Sequence, residues 1–151
     1  MNIRKAKIDE ACYLSDLSFR SKAYWGYSDD FMEACREVLT VSPDDISSSL
    51  VFVIEDGGTI KGFIGLELEN DFCLVSNLFI DPDGIGKGYG RALWQHMLEV
   101  VKGLNVRTVQ IHSDPHAEKF YLAMGAKRIG EVESNVFEGR KLPLMEVELI
   151  Q

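Results

Sequence analysis

The chain has 151 residues, 46% of them hydrophobic, with 16 Lys and Arg against 24 Asp and Glu. That length predicts a single domain, residues 1–151, able to bury a core without disulfide or metal staples. The formal charge of −8 argues against nucleic acid or an anionic membrane as the main partner, because those contacts call for clustered Lys and Arg.

The three cysteines, Cys12, Cys35 and Cys73, are odd in number and widely spaced, which argues against a disulfide framework or a CxxC metal site. No apolar run approaches the ~18 residues of a membrane span, and "MNIRKAKIDEA" lacks an apolar signal core. A reduced, cytoplasmic protein is expected.

"NIRKAKI" reads as a first strand. Asp9 is the expected cap of a helix carrying Ala11, Leu14 and Leu17 on its apolar face. "SKAYWGYSDD" breaks the pattern. A second helix begins near Asp29, with Phe31, Cys35, Val38 and Leu39 on one side. "TVSPDDISSS" reads as a polar loop. Two β-rich runs flanking Gly57 and Gly58 predict a hairpin. "FCLVSNLFI" is a fourth strand, ending at Asp81-Pro82. After a glycine-rich stretch, Leu93, Met97, Val100 and Leu104 recur at helical spacing. "VRTVQIH" is a fifth strand. Ala117, Phe120, Tyr121 and Met124 form a further helical face, stopped by Gly125. "KRIGEV" and "LMEVELI" are closing strands around a polar loop. The unit from 72 to 112 predicts a right-handed parallel β-α-β crossover, set in a sheet that also holds an antiparallel hairpin. The fold class is α/β (α+β): one mixed, mainly antiparallel sheet of six to seven strands with about four helices.

The stretch "IDPDGIGKGYGRALW" puts Gly84, Gly86, Gly88 and Gly90 at the mouth of a helix. Glycine there costs about 1 kcal/mol relative to alanine. A helix N-terminus offers unpaired N–H groups and a positive dipole end, and it binds phosphate where the backbone can come close. Gly86, Gly88 and Gly90 would clear that approach, with Lys87 and Arg91 adding charge. The spacing fits neither the P-loop, which needs GxxxxGK and then Ser or Thr, nor GxGxxG, which opens the first βαβ unit. A nucleotide-binding module is therefore the weaker reading.

"IGKGYGRALW" resembles the acetyl-coenzyme A loop of the GNAT superfamily of N-acetyltransferases, Arg/Gln-x-x-Gly-x-Gly/Ala. Gly88 and Gly90 match its glycines, and Ile85 stands at the Arg/Gln position. "DPHAEKFYLAMGA" is similar to the family's Asn-x-x-Ala-x-x-Phe-Tyr-x-x-x-Gly-Phe. Ala117, Phe120, Tyr121 and Gly125 match, whereas Asp114 replaces the Asn and Ala126 the aromatic. "NLFIDP" resembles the family's fourth strand.

The resemblance implies transfer of an acetyl group from acetyl-coenzyme A to a primary amine of a small molecule or peptide, by direct attack in a ternary complex. It implies N–H donors for the diphosphate from Gly86, Lys87, Gly88, Tyr89, Gly90 and Arg91, with Ile85 beside them in the cofactor-binding set. It implies that Leu78, Phe79 and Ile80 pair with pantetheine in a gap between strands four and five. Asp114, Ala117 and Phe120 complete the cofactor set. A main-chain N–H near Leu78 or Phe79 is the oxyanion donor, and Tyr121 the general acid. Glu67, Glu69 and His112 are the candidate outlets of a water relay serving as base. His112 and His116 have no third ligand in view, so no metal site is expected.

The acceptor side falls to Tyr24, Trp25, Tyr27 and Phe31, read either as a packing cluster or as an aromatic wall receiving a cation with help from Asp29 or Asp30. The loop from Glu133 to Lys141 would close the other side or meet a second subunit in a homodimer. A non-catalytic acyl-coenzyme A-binding or regulatory domain of the same fold is the alternative that Ile85, Asp114 and Ala126 keep open.

Overall fold

A computed structural model describes residues 1–149; Ile150, within the last expected strand, lies outside them. In chain order come β1 (Asn2–Lys5), α1 (Ala11–Ala23), α2 (Asp29–Leu39), α3 (Pro43–Ser48), β2 (Leu50–Asp56), β3 (Thr59–Leu68), β4 (Phe72–Ile80), α4 (Tyr89–Lys102), β5 (Thr108–His112), α5 (Glu118–Ala123), β6 (Lys127–Glu133) and β7 (Lys141–Glu148). The strands form one sheet in the order β1-β2-β3-β4-β5-β7-β6. β4 and β5 run parallel, and every other neighbouring pair is antiparallel. This is the expected mixed α/β architecture.

Local chemistry explains the joints. Gly57 and Gly58 both sit at positive φ, 62° and 79°, as a two-residue turn matching strand twist requires. Side-chain alternation then sorts the sheet into two faces. Ile54, Ile64, Leu66, Cys73, Val109, Ile111 and Met145 pack under α4 and α5, with Trp94, Leu93 and Met97 fully buried above them. Val51, Val53 and Phe63 point the other way, onto Leu14 and Leu17 of α1 and Ile46 of α3. Each such side chain contributes roughly 1.5–3 kcal/mol on burial, so α4 is fixed on one face and α1 on the other. α2 packs through Met32, Cys35 and Leu39 in a third cluster that includes Phe79 of β4.

Four expectations give way. The stretch read as a polar loop contains α3: Ser42 and Asp45 cap each other's main-chain N–H groups, Pro43 occupies the first turn, and Ile46 alone anchors it. Reciprocal capping starts a short helix without an apolar stripe. Asp9 does not cap α1. A helical turn already begins at Ile8, and Glu10 accepts the N–H of Lys7 at 2.8 Å while Arg4 holds its carboxylate. Val38 is 52% exposed and Met32 takes its place inside. Leu104 lies beyond the end of α4 and is exposed, whereas Val101 is buried.

Candidate active site

Two segments of β4 behave differently. Phe72–Val75 pair with Thr108–Ile111 of β5, and the ladder stops there. The register against β3 slips at the same place, Val75 facing Leu66 and Asn77 facing Gly65, so Ser76 is an extra residue. Such a bulge bends a strand and ends pairing. β5 continues along β7 instead, Ser113 donating to the Pro143 carbonyl at 2.9 Å. Ser76–Ile80 therefore have no strand across from them on the β5 side, and Leu78, Phe79 and Ile80 are only half-buried.

At the end of this open segment the chain enters the glycine loop. Asp81 accepts from Arg20 of α1 at 2.7 Å and from the Asp83 N–H at 3.2 Å. Tyr89 turns its ring inward and donates its hydroxyl to Asp56 at 2.7 Å. Gly86 and Gly88 adopt φ of 83° and 85°, and a Cβ on either would meet open space. Gly90 is small for a different reason than the phosphate approach expected of it. A Cβ there would stand 3.2 Å from the ring of Phe120, so its absence lets α5 close onto the first turn of α4. Among the described residues, the main-chain N–H groups of Gly86, Gly88, Tyr89, Gly90 and Arg91 have no acceptor. Five donors thus converge on the positive end of a 14-residue helix, with Ile85, Lys87 and Arg91 exposed around them. This arrangement suits a diphosphate.

Tyr121 stands on α5, 6% exposed, between Trp94 and Phe120. Burial, and then the charge of Asp114, push its phenol above the usual tyrosine range. It stays protonated at neutral pH, as a proton donor must. Ala117 packs with Phe120 against the same core.

Of the base candidates, His112 is exposed at the last rung of β5, opposite Leu144 and one residue past Ile111, where the β4 ladder opens. Glu67, also exposed, lies on β3 opposite Leu74, at the level where β4 is still paired with β5. Glu69 lies past the end of β3, its N–H donating to the Phe72 carbonyl. Glu67 and His112 occupy the sheet face away from α4, because their neighbours Leu66 and Ile111 are buried beneath it.

On that second face the aromatic residues gather round one carboxylate. Asp114 opens a helical turn (Pro115–Ala117) and accepts the His116 N–H at 2.9 Å. It also accepts Lys22 Nζ at 2.7 Å and the Tyr27 hydroxyl at 2.8 Å, and its Oδ1 lies 3.0 Å from His116 Nδ1. Burial pushes its pKa up, but the Lys22 hydrogen bond and charge prevail and hold it at about 2. Burial and the bond to Asp114 raise Tyr27 to about 12. Trp25 stacks on His116 at 5.0 Å, with Tyr24 edge-on to Trp25. Phe31 stacks between Tyr27, at 4.1 Å, and Phe137, at 4.5 Å.

Of the two expectations for these rings, a packing cluster or an aromatic wall receiving a cation, the geometry at Tyr27 and Phe31 favours the packing cluster. Lys22 lies 5.1 Å from the Tyr27 ring and Arg140 lies 5.0 Å from that of Phe31, so the chain's own cations already cover these two rings. Asp29 and Asp30 are exposed in the first turn of α2. Sequence reasoning missed Lys22, Arg140, Phe137 and the pairing of His116. They meet Tyr27 and Asp114 only through the tertiary fold, and no local pattern marks them.

A profile of the family described as acetyltransferase (GNAT) domain matches residues 27–149. The chain belongs to the GNAT acetyltransferase family. Among curated proteins none matches this GNAT chain. Solved structures share its fold at low identity. The PaiA N-acetyltransferase of Thermoplasma acidophilum, in complex with coenzyme A, superposes with a TM-score of 0.82 at 19% identity, covering 98% of both chains. The ribosomal-protein-S18-alanine N-acetyltransferase of Escherichia coli gives 0.72 at 18% identity, over 97% of this chain and 92% of that one. An aminoglycoside 6′-N-acetyltransferase complexed with coenzyme A gives 0.72 at 16% identity, over 100% and 98%. No described helix is long and apolar enough to cross a membrane.

Proposed function

We propose that this GNAT chain is a single-domain N-acetyltransferase, residues 1–151, that moves the acetyl group of acetyl-coenzyme A to a primary amine of a small molecule or peptide. The observation that carries the reading is the set of five acceptorless N–H groups at Gly86, Gly88, Tyr89, Gly90 and Arg91, directly beyond the unpaired segment of β4. The coenzyme A complexes of two structural neighbours support it. The free thiols of Cys12, Cys35 and Cys73 suit a reducing, cytoplasmic compartment, which belongs to the same proposal.

When bound, acetyl-coenzyme A supplies the acetyl thioester. The N–H groups of Gly86, Gly88, Tyr89, Gly90 and Arg91 take its diphosphate, with Asp114, Ala117 and Phe120 bordering the arm. The N–H of Lys87, expected among those donors, is spent on the Gly84 carbonyl and that of Ile85 on the Pro82 carbonyl, which leaves only their side chains at the rim. Leu78, Phe79 and Ile80 offer main-chain groups to the pantetheine amides as a neighbouring strand would. The main-chain N–H of Leu78 donates to the oxygen that gains charge as the amine attacks, since that of Phe79 faces Phe63 of β3. The Tyr121 hydroxyl gives its proton to the leaving sulfur. The amine must shed a proton. His112, at the open end of the seam, is the first choice of outlet, with Glu67 on β3 and Glu69 past its end as the others. Tyr24, Trp25, Tyr27 and Phe31 form the acceptor side.

Titration calorimetry with coenzyme A, followed by thiol release from acetyl-coenzyme A over a panel of amines, tests the proposal. Micromolar binding and amine-dependent thiol release are expected. Tight binding without turnover on any amine would favour the non-catalytic acyl-coenzyme A-binding reading, and absence of binding would defeat both.

A further inference from the structure

On the acceptor side two cations share one carboxylate, and the outer of them keeps donors in reserve. Asp114 is the anion of the cluster, and Lys22 Nζ sits on it at 2.7 Å, whereas Arg140 Nη2 stands 4.0 Å away. Lys22 is thus the partner of Asp114. Arg140 is held by other means: Nη2 donates to the Tyr27 hydroxyl at 3.1 Å, and the guanidinium lies over Phe31 and Tyr27 at 5.0 and 5.7 Å. Its main chain is pinned as well, the N–H donating to the Phe137 carbonyl and the carbonyl accepting the Ser134 N–H. Among the described residues, Nε and Nη1 of Arg140 have no acceptor. A planar guanidinium fixed by rings and one hydrogen bond, with donors left on Nε and Nη1, is a preorganised receiver for a carboxylate. It is 23% exposed, shielded enough to strengthen the pairing and open enough to admit a ligand.

Its position ties it to the reaction. Tyr27, Phe31 and Phe137 belong to the same cluster as Phe79, which lies in the unpaired segment of β4. The donor loop at the mouth of α4 lies against the opposite core, through Tyr89, so Arg140 is not a second hand on the diphosphate.

We infer that Arg140 selects the acceptor, binding a carboxylate carried by the same molecule as the reacting amine, so that the substrates are amino acids or short peptides with a free carboxylate rather than polyamines. The inference rests on the proposed acetyl transfer and adds the chemical class of the acceptor.

The test uses the full chain, acetyl-coenzyme A and a matched acceptor set: free amino acids, the same amino acids as C-terminal amides, dipeptides with free and amidated ends, and an aliphatic diamine. Free carboxylates should exceed their amides in kcat/KM by roughly 10- to 100-fold, the range of one charge-assisted bidentate pair. Arg140→Gln should raise KM for the carboxylates about tenfold or more, with kcat falling far less, and collapse the carboxylate-to-amide ratio toward one. Arg140→Lys should restore part of that ratio, since charge returns without the fork. Whether amino acids or dipeptides give the larger ratio separates a small-molecule from a peptide source of the carboxylate. Preference for the diamine or the amides in the wild type overturns the inference. So does a loss in Arg140→Gln that is equal for both members of each pair, or that follows a fallen Tm. Where no amine in the set turns over, acetyl transfer is what fails. The anion site is then read by binding alone: N-acetylglycine must raise the Tm of the wild type and not of Arg140→Gln, and an equal shift in both sinks it.

Discussion

The mouth of α4 and the cluster around Asp114 are the two polar regions beside the open seam, and they are built in opposite ways. At the mouth of α4 the chain has removed side chains. Gly86 and Gly88 face open space at positive φ, and the donors are main-chain N–H groups with nothing in the chain to accept them. Around Asp114 the chain has crowded side chains together, and nearly every donor and acceptor is spent on another residue. The first is ready to bind, because its hydrogen-bonding capacity is unused. The second is rigid, because most of its own has been consumed, though Arg140 keeps Nε and Nη1 in hand.

The largest effect should come from filling the bare region. Gly88→Val forces a β-branched residue into the left-handed conformation now held at φ 85°, straining the loop and turning its N–H groups away. Losing two charge-assisted bonds of about 1.5 kcal/mol each lowers coenzyme A affinity roughly 100-fold, read by calorimetry. Next, Tyr121→Phe should cut kcat by about 100-fold while the dissociation constant for coenzyme A moves little. Because burial and Asp114 hold the phenol proton on, the wild-type rate should show no fall from this group below about pH 10.

The crowded region breaks differently. Asp114→Asn leaves Lys22, whose side chain is 14% exposed, without its counter-ion, and should cost about 1–3 kcal/mol of stability. The sign of its pH dependence follows from a folded pKa of about 2 against about 3.9 for a free aspartate. The contribution is complete above about pH 4 and is lost as the pH falls toward 2. Wild-type Tm should therefore drop more steeply than that of Asp114→Asn across that interval. The smallest effect is expected for Gly90→Ala. A helical alanine gains up to about 1 kcal/mol over glycine, which the displacement of the Phe120 ring, 3.2 Å from the new Cβ, offsets. The Tm shift should stay within about 3 °C.

The same contrast decides what could be read from the sequence. A site made of backbone leaves its mark locally. The glycines from Gly84 to Gly90 announced the donor loop, and period-two and helical patterns placed the seven strands and four of the five helices. α3 escaped because a capping pair and one buried isoleucine make it, with no periodic stripe. The purpose of Gly90 was misjudged because its neighbour, Phe120, is thirty residues away in the chain. A site made of side chains leaves no such mark. Lys22, Tyr27, Asp114 and Arg140 come from the end of α1, the link to α2, the turn after β5 and the loop before β7. Only the folded sheet brings them together, so the sequence showed the aromatic residues without the cations that lie on them.

The bulge at Ser76 has one more consequence. Proteins blunt the outer edges of their sheets with charge, proline or cover, since a bare edge recruits other chains and aggregates. Here the unsatisfied edge is an interior one: Ser76–Ile80 lie between β3 and the end of β5, with α1 and α4 on either side. Flanked by helices on both faces, those peptide groups are less open to another protein's strand than an outer edge would be. The chain thus keeps a stretch of pairing-competent backbone available without paying for it in solubility.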